Sequence, residues 1–125
     1  MKFVLSPEHV YWWPVKVRLP DPDPKRAGKI VEQEFRMQFV AIPTDEARAL
    51  AEEIAALPPE EREEREYDLM LRAARGWSDV YDQDGEELTF SPDLLKSVLQ
   101  QQFYRVAILR AYADSLTGEA ARKGN

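Results

Sequence analysis

The sequence predicts an α+β fold, in which an N-terminal antiparallel β-hairpin is followed by three or four α-helices. Over residues 10–42, apolar and polar side chains alternate, which is the period of a half-buried strand. From residue 44 onwards, apolar side chains recur every three or four positions, as in amphipathic helices. An Asp-Gly pair at residues 84–85 predicts a small β-hairpin inserted between the second and third helices.

The 125-residue chain has an ordinary composition throughout, which predicts a single domain over residues 1–125. It divides into the N-terminal β-hairpin (residues 1–43), a mainly helical part (residues 44–117) and a flexible tail (residues 118–125). An apolar content of 44% supplies a core, and a charged content of 32% supplies a solvated surface.

The first strand of the hairpin contains a proline. Pro14 lacks a backbone donor, so the pattern predicts either an edge strand or a strand that begins after Pro14. Three prolines and a glycine predict a loop over residues 20–29. If Trp13 faces the core, the alternation of a strand turns Trp12 outward. The side chains expected on the inner face are Tyr11, Trp13, Val15, Val17 and Leu19 from the first strand, and Phe35, Met37, Phe39 and Ala41 from the second.

Two helices are predicted between residues 44 and 76. Thr44 is expected to cap the first helix, and Pro58-Pro59 ends it. The second helix starts with the charged run Glu60–Glu66, and Gly76 is expected in the left-handed conformation that ends it. The apolar stripe of the first helix consists of Ala47, Leu50, Ala51, Ile54 and Leu57, and that of the second of Tyr67, Met70, Leu71 and Ala74.

A further helix is predicted to start at Ser91, which caps it, with Pro92 at the first helical position. The sequence between Asp93 and Thr117 contains neither proline nor glycine. One long helix and two helices with a break near Gln100–Gln102 therefore both agree with it. Gly118 is expected to end the helical region. The apolar face consists of Leu95, Leu99, Phe103, Val106 and Leu109, widened by Leu94, Val98, Ile108 and Tyr112.

Composition and charge exclude several classes of function. The net charge of −6 and the pI of about 4.9 argue against nucleic-acid phosphate as the main ligand. The chain lacks cysteine, which excludes disulfides and thiolate chemistry, and its single histidine, His9, argues against a histidine metal cage or a Ser-His-Asp triad. Its apolar runs are too short for a signal peptide or a transmembrane helix, so we expect a soluble, cytoplasmic protein.

Five carboxylates surround Gly85, at Asp79, Asp82, Asp84, Glu86 and Glu87, and they pose the question of a metal site. An EF-hand loop needs carboxylates at its first and twelfth positions when glycine is sixth. Here those positions hold Val80 and Ser91, which excludes that loop. A tight turn at Asp84-Gly85 explains the stretch better. Acid–base catalysis would need a carboxylate in an apolar pocket, which nothing nearby indicates, so we expect no catalytic residue, metal or cofactor.

Binding to another protein is the chemistry that the sequence favours. Aromatic side chains are enriched at interfaces, which makes an outward Trp12 one candidate. The wide apolar face of the C-terminal helical region is another, because it can serve both the core and a partner. The predicted partner-binding residues are Trp12, Leu94, Val98, Ile108 and Tyr112.

Several short motifs follow one another after the second predicted helix: Gly76-Trp77, Asp84-Gly85 and Phe90-Ser91, followed by Leu94-Leu95. Their order resembles that in the tail assembly chaperones of long-tailed bacteriophages, where a helix leads into Gly-Trp, an Asp-Gly hairpin and a Phe-Ser/Thr helix start. The ending AYADSLTGEAARKGN is similar as well. The resemblance covers residues 68–125, whereas the three-proline loop at Pro20–Pro24 departs from the family pattern.

The resemblance implies a non-enzymatic protein that acts in the cytoplasm of the bacterial host and is absent from the mature virion. It would coat the tape measure protein, self-associate along it and recruit tail tube protein. Some members of the family also exist in a longer, frameshifted form. The rival hypothesis is a small acidic inhibitor that blocks a nucleic-acid-binding enzyme by charge mimicry. The run Glu60–Asp68 motivates this hypothesis, although arginines interrupt it.

Overall fold

The computed structural model describes residues 1–118, and its centre is a three-stranded antiparallel sheet packed against helices. This confirms the predicted α+β class with an N-terminal hairpin. The strands are β1 (Val10–Pro20), β2 (Ile30–Val40) and β3 (Ala74–Ser78), and the helices are α1 (Thr44–Ala55), α2 (Pro59–Arg65), α3 (Asp68–Ala73), α4 (Pro92–Leu99) and α5 (Gln102–Thr117).

β1 pairs with β2 over its whole length, from Val10 opposite Val40 to Pro20 opposite Ile30. The strand order β1-β2-β3 places β1 at an edge, so the edge-strand alternative for Pro14 is the one that the structure adopts. Val15 and Val17 are buried, whereas Trp12 is 50% exposed. The predicted alternation is therefore confirmed within the two strands. The prediction for Ala41 is wrong, because β2 ends at the buried Val40, the alternation stops there, and Ala41 is exposed.

β3 corrects the prediction for Gly76. The helix ends at Ala73, and the chain continues as a strand in which Gly76 lies opposite Gln38 of β2. Gly76 is thus part of a strand rather than the left-handed end of a helix. The physical reason is that β2 offers free backbone groups along its second edge, and pairing with them satisfies residues 74–78. The predicted second helix is also divided, at Glu66-Tyr67, into α2 and α3.

The predicted small hairpin is present as a tight turn. Leu88 N donates to Val80 O at 2.8 Å, and Asp82 N donates to Glu86 O at 2.9 Å. The two arms share the single bridge Tyr81–Glu87. Gly85 has φ 82°, the left-handed region in which glycine avoids a side-chain clash.

The helix boundaries decide three further predictions. Ser91 caps α4, because its Oγ accepts from Leu94 N at 3.1 Å, and Gly118 ends α5 with φ 71°. Thr44 lies inside the first turn of α1, because the first helical hydrogen bond runs from Ala47 N to Pro43 O. The predicted Thr44 cap is therefore wrong by one position. Of the predicted flexible tail, residues 119–125 lie outside the described residues.

The core joins the sheet to the last three helices. Fully buried side chains come from β1, β2, α4 and α5, and α3 adds Met70 and Ala73. The largest of them are Phe39, Met37, Leu95, Leu99, Ile108, Val15 and Val40. The helices of residues 1–118 are all too short or too polar to cross a membrane.

Candidate protein-binding surface

The acids around Gly85 build a turn. Asp82 Oδ1 accepts from Asp84 N at 2.9 Å and from Glu86 N at 3.0 Å, and so it holds the loop closed. Asp79 sits at φ 66° and accepts a hydrogen bond of 2.7 Å from Arg36 Nη2. Within residues 1–118, no three histidine or carboxylate side chains converge as metal ligands would.

Trp77 locks this turn onto the sheet. Its Nε1 donates to Leu88 O at 2.8 Å, and its ring makes edge-on contacts with Phe90 and Phe35 at centroid distances of 5.2 and 6.4 Å. Edge-to-face pairs at such distances stabilise a fold beyond their buried area. Four residues of the predicted motif therefore have structural roles: Trp77 and Phe90 pack together, Gly85 forms the tight turn, and Ser91 caps α4.

The predicted partner-binding residues are spread over the molecule. Trp12 lies on the open face of β1, and Leu94 is half-buried on α4. Val98 is half-buried in a groove of about 280 Å³ that it shares with Trp77 and Tyr104. Ile108 is fully buried, and Tyr112 is 9% exposed with its hydroxyl accepting from Ile42 N at 3.0 Å. These last two side chains belong to the core and are not available to a partner.

A break between α4 and α5 explains why Ile108 and Tyr112 turn inward. Gln101 is extended, with φ −91° and ψ 121°, so α5 starts with a new rotational phase. Leu95 and Leu99 remain core residues of α4. On α5 the buried face consists of Ala107, Ile108, Ala111 and Tyr112, while Phe103, Val106 and Leu109 lie outside.

Phe103, Val106 and Leu109, which we call the α5 ridge, are the most distinctive surface feature. They are 50%, 43% and 46% exposed, and Leu116 continues the exposed apolar side at 54%. Apolar side chains exposed next to one another, unlike single scattered ones, mark interaction sites. The exposed side of α5 is therefore typical of a surface that another protein covers.

A groove runs along one flank of the ridge, between α3 and α5. This α3–α5 groove has a volume of about 500 Å³. Arg105 forms part of its wall and is held in place by three contacts: it donates to Tyr67 Oη at 3.2 Å and to Leu99 O at 3.0 Å, and its guanidinium carbon lies 5.9 Å from the centre of the Tyr67 ring. The lining is otherwise mainly apolar, with Glu66, Tyr67, Leu69, Met70, Leu99 and Leu109.

A second groove runs along the other flank, between β1 and α5. This β1–α5 groove has a volume of about 220 Å³ and is both basic and apolar. Lys16 and Arg18 reach it from β1, and Arg110 from α5. Gln102, Phe103, Val106 and Ala107 complete its lining.

The negative charge of the chain is concentrated in another region. Residues 44–66, which we call the acidic arm and which include α1 and α2, contain nine carboxylates and three arginines, a net charge of −6. The whole chain also has a net charge of −6, so the rest of the protein is neutral overall. Charge is thus segregated, with the arm acidic and the β1–α5 groove basic.

Comparison of the chain with protein families, with curated proteins and with solved structures finds no match. The features of the surface around α5 therefore come from the structure alone. It combines a solvent-exposed apolar ridge, a larger apolar groove and a smaller basic groove.

Sequence reasoning named the apolar residues of α5 but assigned several to the wrong side. Phe103, Val106 and Leu109 were expected on the same face as Leu95, which presupposes one continuous helical phase. The structure adopts the second alternative of the sequence analysis, two helices with a break at the polar run Gln100–Gln102. The approach of Lys16 and Arg18 to Arg110 has no local signal, because it depends on how β1 packs against α5.

Proposed function

We propose that the protein is a holding chaperone that binds an aggregation-prone, helical client. Phage tail assembly chaperones act in this way on the tape measure protein. It acts by binding rather than by catalysis, in the cytoplasm of the bacterial host, and it is absent from the mature virion. In this role it keeps the tape measure protein soluble and helps to recruit tail tube subunits.

The observation that carries the proposal is the exposed α5 ridge beside the α3–α5 groove. A client helix in solution needs its apolar stripe covered, and a groove between helices receives such a stripe with anchors at helical spacing. Leu69 and Leu109 give the groove its accessible apolar lining above the buried Met70 and Leu99. Tyr67 and Arg105 form a wall in which Arg105 donates a hydrogen bond to the Tyr67 hydroxyl. The charged remainder of the surface keeps a protein with such a patch soluble.

The direct test is co-expression with a tape measure protein, the client that this proposal names. We expect the client to become soluble and to elute with the chaperone in size exclusion chromatography. Leu109→Glu places a charge in the groove and should abolish both effects. Ile30→Glu is the matched control, because Ile30 is an equally exposed apolar residue (51%, against 46% for Leu109) at the far end of the hairpin.

Three results would contradict the proposal. A client that stays insoluble beside the wild-type protein, or that is rescued without forming a complex, would overturn it. An equal loss of binding in Leu109→Glu and in Ile30→Glu would show that the client does not bind specifically at the α5 surface. Circular dichroism of each variant establishes that the fold is retained before binding is compared.

The acidic arm favours a second candidate function, inhibition of a nucleic-acid-binding enzyme by charge mimicry. All of the net negative charge lies on this arm, and α2 exposes Glu60, Glu61, Glu63 and Glu64. Such an inhibitor would bind a host nuclease with an affinity that falls steeply with salt. Binding that is lost in Glu60→Lys/Glu64→Lys and kept in Leu109→Glu would favour this function over the chaperone.

A further inference from the structure

We propose that the β1–α5 groove binds the acidic arm of a second copy of this chain, so that copies associate head to tail. This contact lies on the opposite flank of α5 from the α3–α5 groove, and it shares only Phe103 and Val106 of the α5 ridge with the client site proposed above. It rests on the segregation of charge and on the positions of the two surfaces.

The groove presents cations that are not already engaged by the fold. Among residues 1–118, carboxylates lie within 4.0 Å of five other arginines, whereas none lies so close to Lys16, Arg18 or Arg110. Glu34 and Glu32 stand opposite Lys16 and Arg18 in the β1–β2 register, but beyond that distance. The paired arginines are Arg26, Arg36, Arg65, Arg72 and Arg75.

The arm presents carboxylates that the fold likewise leaves in solvent. Glu60, Glu61, Glu63 and Glu64 are exposed on α2. Arg65, the cation at the end of α2, is already occupied by Asp68 at 2.8 Å and Glu53 at 3.2 Å. The acidic face of α2 is therefore available to an external basic partner, and the β1–α5 groove supplies one on every copy.

The geometry favours contact between copies over contact within one chain. The arm is tied to the α3 side of the molecule by Arg65–Asp68 and by Arg72 Nε, which donates to Glu46 Oε1 at 2.7 Å. The basic groove lies on the β1 side of α5, and its Phe103 and Val106 remain exposed. Arm and groove lie on different sides of the molecule. When the arm of one copy binds the groove of a second copy, the first copy therefore keeps a free groove and the second keeps a free arm. Such a heterologous contact can repeat.

Sedimentation velocity at increasing protein concentration tests the proposal. We expect association of the wild-type protein that weakens as salt rises, since charge pairs at a surface are screened. The groove variant Arg18→Glu/Arg110→Glu and the arm variant Glu60→Lys/Glu64→Lys should each associate at least about tenfold more weakly than wild type. A one-to-one mixture of the two variants should associate again, because the reversed charges complement one another.

Several outcomes would overturn it. One is a wild-type protein that stays monomeric at about 1 mM, where even a contact with a Kd near 1 mM would be visible. Another is a mixture of variants that stays monomeric although both are folded by circular dichroism. A closed dimer that survives high salt also contradicts it. The neutral variant Arg18→Gln/Arg110→Gln covers the case in which charge reversal unfolds the chain, and unchanged association in that variant would equally exclude the groove.

Discussion

The sheet with α3, α4 and α5, which we call the body, and the acidic arm are held by different forces. The body is joined by fully buried apolar side chains, such as Phe39, Leu95 and Ile108, and by aromatic contacts around Trp77. The arm has half-buried apolar residues and exposed ion pairs, such as Arg65–Glu53. Apolar burial is largely insensitive to salt, whereas exposed ion pairs are weak and screened. The two regions should therefore respond differently to the same perturbation.

Amide exchange should give the largest difference. Exposed helices with few buried contacts open locally, whereas core strands exchange only with wider unfolding. We expect amides of α1 and α2 to exchange at least about 100-fold faster than those at the centre of β2. Hydrogen–deuterium exchange followed by mass spectrometry measures this directly. Equal protection in α2 and β2 would show that arm and body form one cooperative unit.

A matched pair of leucine truncations should give the next largest difference. Leu95→Ala leaves a cavity in the core and should lower the free energy of unfolding by about 2–5 kcal/mol. Leu50→Ala removes a half-buried side chain from α1, where alanine also favours the helix, and should cost only about 1 kcal/mol or less. Urea denaturation compares the two variants. Similar losses would mean that the arm contributes to stability as the core does.

These two leucines also illustrate how far sequence can predict this fold. Apolar periodicity identifies both as inward-facing, because it records the face of a helix that avoids water. It does not record what covers that face. Leu95 belongs to the core cluster that joins the sheet to the helices, whereas Leu50, on α1, is only half-buried and is not part of that cluster. The degree of burial is therefore a tertiary property.

The hairpin was predictable in detail, and β3 was not. In β1, burial of one face requires strict alternation, which Val15 and Val17 show in the sequence itself. The residues before Gly76 continue a helical pattern, and their change to a strand depends on the free edge of β2, far away in sequence. The same limit applies to the β1–α5 groove, whose cations come from separate elements.

A charge-neutral substitution at Arg65 should have a smaller effect, confined to the arm. Hydrogen bonds to Asp68 and Glu53 raise the pKa of Arg65, so this side chain stays charged at every pH at which the protein is folded. In Arg65→Gln we expect amides of α2 to exchange up to about fivefold faster at low salt, and no faster than wild type at high salt. Arg48→Gln, at an exposed site on α1, serves as the control. Faster exchange in β2 would contradict confinement to the arm.

Alkaline pH should separate the two regions in the opposite direction, through Tyr11 in the body. Burial raises the pKa of the Tyr11 hydroxyl above its usual value of 10.0, which outweighs the opposing effect of the 2.7 Å hydrogen bond with Ser115. Below pH 10 the phenol is protonated in both states, and its contribution to stability is fully present. As the pH rises further, the unfolded chain loses this proton first, so unfolding becomes more favourable.

The urea midpoint should therefore fall above pH 10, and it should fall less steeply in Tyr11→Phe than in the wild-type protein. At neutral pH, Tyr11→Phe should cost about 1 kcal/mol for the lost hydrogen bond, so the slope with pH, not the absolute midpoint, is the informative quantity. All other ionisable groups are common to both proteins, so their contributions cancel in the comparison. Parallel slopes would show that Tyr11 ionises alike in the folded and unfolded chains. In that case the contact between Tyr11 of β1 and Ser115 of α5 would not account for the loss of stability of the body at high pH.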